Sequence, residues 1–169
     1  MSKISRGNSL PYELTKVDLS PTLIAVVGYA KGEILPPYDS ERHRKRAKNI
    51  LSYIKGKRCA KMELMFEYES LEDICWQNGR MEVPKVVEVV GGLLGHCVLS
   101  AVVELLEKNH YVRVSPDRII TWRPSALPPF FIGKILLQEV LGGDSGWYIT
   151  PNARCHIYNK EFIFYMNGR

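Results

Sequence analysis

The chain has 169 residues, 46% of them hydrophobic, and a formal net charge of +5 at pH 7. That is enough apolar mass for one packed core, and it excludes a chain that is disordered throughout. The charge is concentrated: eight of the 23 Lys and Arg residues fall between Arg42 and Arg58, a stretch without Asp or Glu, while the remainder carries fifteen basic against 18 acidic residues. Such a local positive field attracts polyanions, either nucleic acid or an anionic membrane.

Residues 1–20 are polar, broken by Gly7 and Pro11, and have little hydrophobic periodicity. They are expected to form a flexible arm that orders against a second copy of the chain through Ile4, Leu10, Tyr12 and Leu14. Leu23 to Tyr29 predicts a short strand, after which Leu35-Pro36-Pro37-Tyr38 forces an extended turn. Ser40 is placed to cap the helix that follows.

In that helix Ala47, Ile50, Leu51 and Ile54 recur at three- and four-residue steps, which predicts one apolar face with Arg42, Lys45, Arg46 and Lys48 on the other. Arg44 belongs to the same cluster, and Lys55, Lys57 and Arg58 extend it past Gly56. All eight are candidate polyanion-binding residues.

Ala60 to Glu69 alternates apolar and charged residues as a half-buried strand does. Leu71 to Trp76 predicts a helical turn, and Asn78-Gly79 a turn. From Pro84 to Lys108 the pattern predicts a single apolar helix with a narrow polar stripe at Glu88, His96, Ser100 and Glu104. Its uncharged run, Val89 to Val103, is fifteen residues long and too short to span a bilayer. Two short strands are expected around Ser115-Pro116-Asp117, then a helix from Phe130 to Leu141 opened by Pro128-Pro129, and a closing hairpin within Trp147 to Met166 that turns at Asn159-Lys160. The fold expected is α+β: a small, mostly antiparallel sheet packed on two or three helices, in one globular domain over 21–169 with the arm before it.

Several strings suggest chemistry without the context that it needs. Gly143-Asp144-Ser145-Gly146 matches the loop around the nucleophile of trypsin-like proteases, yet His96 lies only forty-nine residues before Ser145, inside an apolar run. His96-Cys97 and Cys155-His156 supply four zinc-type donors, but adjacent strand residues point to opposite faces. The acidic residues Glu63, Glu67, Glu69, Glu72 and Asp73 suit the wet face of a strand better than a nuclease centre. The cysteines Cys59, Cys75, Cys97 and Cys155 have no repeated spacing, and the opening MSKISRGNSL lacks the apolar stretch of a secretory signal, so free thiols in a reducing compartment are expected. No catalytic residue, metal or cofactor is expected.

The arm, Leu35-Pro36-Pro37-Tyr38, the basic stretch, the strand Met62 to Tyr68, the run Phe131-Ile132-Gly133-Lys134-Ile135-Leu136-Leu137 and the hairpin Arg154 to Met166 together resemble the layout of a viral matrix protein of the rhabdovirus type. The resemblance implies a non-enzymatic, self-assembling structural protein that binds anionic membrane and nucleocapsid ribonucleoprotein, in the virion and, peripheral to membrane, in the host cytoplasm. Pro36-Pro37-Tyr38-Asp39 departs from the Pro-Pro-x-Tyr pattern of budding motifs. The alternative is a viral RNA-binding module such as an RNA-silencing suppressor, with the Arg42 to Arg58 segment on phosphates and Tyr53 and Trp122 stacked on bases.

Overall fold

The computed structural model describes residues 3–20, 23–27, 41–62, 85–121, 127–142 and 150–167. In chain order the elements are β1 (Ile4–Arg6), a 3-10 turn (Tyr12–Leu14), β2 (Leu23–Val27), α1 (Glu41–Ile54), β3 (Cys59–Met62), β4 (Val86–Gly92), a π-helical turn (Leu94–Val98), α2 (Leu99–Glu107), β5 (Tyr111–Ile120), α3 (Pro129–Leu141), β6 (Ala153–Tyr158) and β7 (Glu161–Met166). Among the described residues, seven strands form one sheet in the order β1-β6-β7-β5-β4-β2-β3. The class is α+β, with the helices packed on that sheet.

The sheet is mixed rather than mostly antiparallel. β3, β2, β4 and β5 are mutually parallel, β1 is parallel to β6, and only β7 runs antiparallel to its neighbours β5 and β6. The physical reason lies in β2 and β4, whose every residue is buried. Strands covered on both faces lose the apolar/polar alternation that marks an antiparallel ribbon with one wet side. For the same reason Val86–Gly92 is a strand where the apolar pattern predicts the first half of a helix, and only Leu99–Glu107 is α-helical. The two strands expected around Ser115-Pro116-Asp117 are one, Tyr111–Ile120, which changes register against β4 between Val89 and Gly91.

Each face of the sheet has its own cover. Leu23, Ala25, Val27, Val87, Val89, Val112 and Val114 point to the face occupied by α2 and α3, and this side forms the main core. Ile24, Val26, Val90 and Ile120 point the other way and meet Ala47 and Ile50 of α1. Farther along that second face, Ile163 and Tyr165 of β7 are covered by Leu14.

The arm is therefore part of the body, which corrects the expectation that it waits for a neighbour. β1 pairs with β6 from Ile4↔Cys155 to Arg6↔Ile157. Ser5 Oγ lies 2.7 Å from Nδ1 of the buried His156, whose Nε2 donates to the Gly7 carbonyl at 2.9 Å. Lys3 Nζ donates to the Leu141 carbonyl at 3.0 Å, and Arg113 to that of Leu19 at 2.7 Å. Of the four proposed self-association anchors, Leu14 is fully buried, Ile4 and Leu10 pack against the chain's own cores, and Tyr12 alone stays exposed. The apolar surface of Leu14, and part of that of Ile4 and Leu10, is spent within the molecule.

The hairpin turns at Asn159 and Lys160, both with positive φ, as the twist of paired strands favours. Leu35 to Tyr38, the Ser40 cap, Glu63 to Asn78-Gly79, Cys75, Trp122 and the Gly143 to Gly146 loop lie outside the described residues.

Candidate anion-binding cleft

α1 presents a nearly continuous cationic surface because its first eight residues hold five Lys or Arg and only three inward positions are apolar or neutral. His43, Ala47 and Ile50 are buried, while Arg42, Arg44, Lys45 and Lys48 are exposed. Lys55, Lys57 and Arg58 are exposed just past the helix. Leu51, expected on the apolar face, sits at its margin with 36% exposure.

Arg46 departs from expectation. It turns inward to donate to the carbonyls of Ile119, at 3.2 Å, and Leu127, at 2.8 Å. Burial pulls its pKa below the ordinary value while Asp117 acts in the opposite sense; an arginine keeps its charge nonetheless. One turn earlier, His43 Nε2 donates to the Thr121 carbonyl at 2.9 Å, and Thr121 Oγ1 accepts from the Leu127 amide at 3.2 Å. Together these bonds fasten α1 to the end of β5 and to the start of the segment that leads into α3.

Between α1 and that end of β5 lies a cleft of about 570 Å³ lined by Arg42, Lys45, Arg46, Asn49, Tyr53, Asp117, Arg118, Leu127 and Pro128. A buried network fixes its inner wall. Glu88 is the one charged residue of β4 and is 2% exposed. It accepts from Tyr53 Oη at 2.6 Å and twice from Arg118, at 3.1 and 3.0 Å. Arg118 also donates to Glu161 at 3.3 Å, and Glu161 pairs with Arg113. The Tyr53 ring has Arg118 3.8 Å and Lys57 Nζ 3.7 Å from its centroid. Burial, and then the bond to Glu88, pushes the Tyr53 hydroxyl up to about 12, so it stays protonated as a donor.

Among the described residues, four cations therefore line the cleft against one carboxylate, Asp117. Tyr53, expected to stack on bases, is occupied by its own cations. Charge density does not mark Asp117 and Arg118, which lie far from the basic segment, or Asn49, which carries no charge; the lone Glu88 in an apolar run is the available signal for the network. Among the described residues no group of three or more metal-type donors occurs, no helix is long and apolar enough to cross a membrane, and Cys155 is a buried free thiol. No protein-family model matches the chain, nor does any curated protein or solved structure.

Proposed function

We propose that the chain is a binding protein for phosphate-bearing polyanions, which it engages through the exposed face of α1 and the adjoining cleft. The convergence of Arg42, Lys45, Arg46 and Arg118 on one cleft carries the reading. Cations along low-dielectric walls focus their field. Arg118 and Arg46 are already held by protein acceptors, so they lose little freedom when an anion arrives. Arg44, Lys48, Lys55, Lys57 and Arg58 extend the field outside the cleft.

In a matrix-type setting, which the layout resembles, this surface would hold the protein to an anionic membrane or to nucleocapsid, each nearby Lys or Arg contributing about 1 kcal/mol at the lipid surface. In an RNA-binding setting it would track phosphates. Titration of the full chain with RNA and with anionic phospholipid vesicles across a salt series tests the shared claim. Binding that weakens steeply with salt supports it, and no binding to either at low salt removes it.

A further inference from the structure

α3 begins with two aromatic side chains that the fold leaves outside: Phe130 is 67% exposed and Phe131 51%. Their rings meet edge to face at 5.7 Å, and Lys134 Nζ stands 4.8 Å from the Phe130 centroid. Phe130 overlooks a groove of about 500 Å³ between α3 and the β6–β7 hairpin. Phe162 forms part of its floor, and the ring fits because Gly133 of α3 has no side chain; a Cβ there would lie 2.6 Å from it. Leu137 adds apolar wall, while Arg6, Lys134 and Lys160 supply the charge.

The position of this groove is as informative as its lining. Asp117 lines both the groove and the α1 cleft, which ends at Pro128 where the groove begins at Pro129. A cationic cleft thus adjoins an apolar, aromatic groove rimmed by further cations. Exposed aromatic rings interleaved with Lys and Arg along a concave path are what an unpaired nucleic-acid strand needs: cations for successive phosphates and rings for base faces. In a duplex the base faces are occupied by stacking, and a flat lipid surface has no way to follow cations into a cleft. Asp117, at the junction, suits an exocyclic amino donor of a base rather than a phosphate.

Building on the polyanion reading above, we infer that the partner is a single-stranded nucleic acid, with phosphates along α1 and its cleft and bases stacked on Phe130 over the groove and on the exposed Phe131 ring beside it. The test compares a labelled single-stranded RNA oligonucleotide, its duplex and anionic phospholipid vesicles, using the wild-type chain and the double variant Phe130→Ala/Phe131→Ala. Both rings are mainly in solvent, so the variant should fold, and its circular dichroism melt checks this.

The wild type should prefer the single strand to the duplex. The double variant should lose single-strand affinity by at least about tenfold while keeping its salt slope, because stacking rather than charge has been removed. Photo-crosslinking with 4-thiouridine in the oligonucleotide should label the peptide containing Phe130 and Phe131. Unchanged single-strand affinity in the folded double variant overturns the inference, as does a loss confined to vesicle binding, which would make the aromatic pair a membrane wedge. If α1 charge variants lose polyanion binding while the aromatic variant does not, only this inference fails; if nothing binds at low salt, the underlying polyanion reading fails with it.

Discussion

Arg118 donates twice to a single oxygen of Glu88, at 3.1 and 3.0 Å, on a sheet face where Glu88 is 2% exposed. The pair sets the inner wall of the cleft and leaves Tyr53 to satisfy the other carboxylate oxygen. A buried carboxylate is tolerable only with its partners in place. Glu88→Ala should therefore destabilise the fold by about 1–3 kcal/mol, as it takes the acceptor from the Tyr53 hydroxyl and leaves the partly exposed Arg118 with Glu161 as its carboxylate partner. Chemical denaturation of the variant measures this; a loss under about 1 kcal/mol, the range of an exposed ion pair, would mean that the network is solvated.

The docked arm leads to a different expectation from a free one. Leu14 is fully buried against Ile163 and Tyr165. Leu14→Ala should cost about 2–5 kcal/mol, and deletion of residues 2–20 should lower the melting temperature as well as any association. An unchanged melt in the truncated chain would show that the arm adds nothing to the body.

His43 gives the fold a pH dependence. Burial holds its pKa below the ordinary 6.5, with the Thr121 bond acting in the opposite sense and Arg46 acting with burial. The unfolded chain binds this proton at higher pH than the folded chain does, so stability should fall as pH drops below about 6.5 and level off once the folded form is also protonated. Urea melts between pH 7 and pH 5 should record that decline, and His43→Gln, which keeps a donor but does not titrate, should flatten it.

Gly133 tests the packing of α3. With a Cβ placed 2.6 Å from the Phe162 ring, Gly133→Ala must displace that ring or the helix. A loss of about 1–3 kcal/mol is expected despite the better helix propensity of alanine. A thermal melt equal to or above the wild type would show that the ring yields freely.

Much of this was legible where periodicity is unambiguous. The step of three and four in Ala47, Ile50 and Ile54 gave α1, Pro128-Pro129 opened α3, and Asn159-Lys160 marked the hairpin turn. β4 is not legible, since six apolar or small residues around Glu88, ahead of an apolar helix, carry the same pattern as more helix. Losing β4 hid the parallel half of the sheet and, with it, the buried Glu88. The docking of the arm is not legible because its contacts are made by backbone pairing and by scattered side chains such as Ser5 and Leu14, which leave no period in the sequence. Within the cleft, charge density located α1, but it could not separate the exposed Arg42 and Arg44 from Arg46, which depends on the carbonyls of residues distant in sequence.

If the exposed cations of α1 bind a polyanion, replacing Arg42, Arg44, Lys45 and Lys48 together by Gln should remove that binding. Arg46 is left intact because its bonds hold α1 in place. The salt dependence of RNA binding by wild type and variant is the measurement, with thermal melts alongside. Polyanion binding by α1 predicts an unchanged melt, a loss of affinity of at least about a hundredfold at low salt, and a slope of log affinity against log salt that is shallower by about 0.7 for each cation that touched a phosphate of the single strand. A folded variant that retains the wild-type affinity and slope would contradict it.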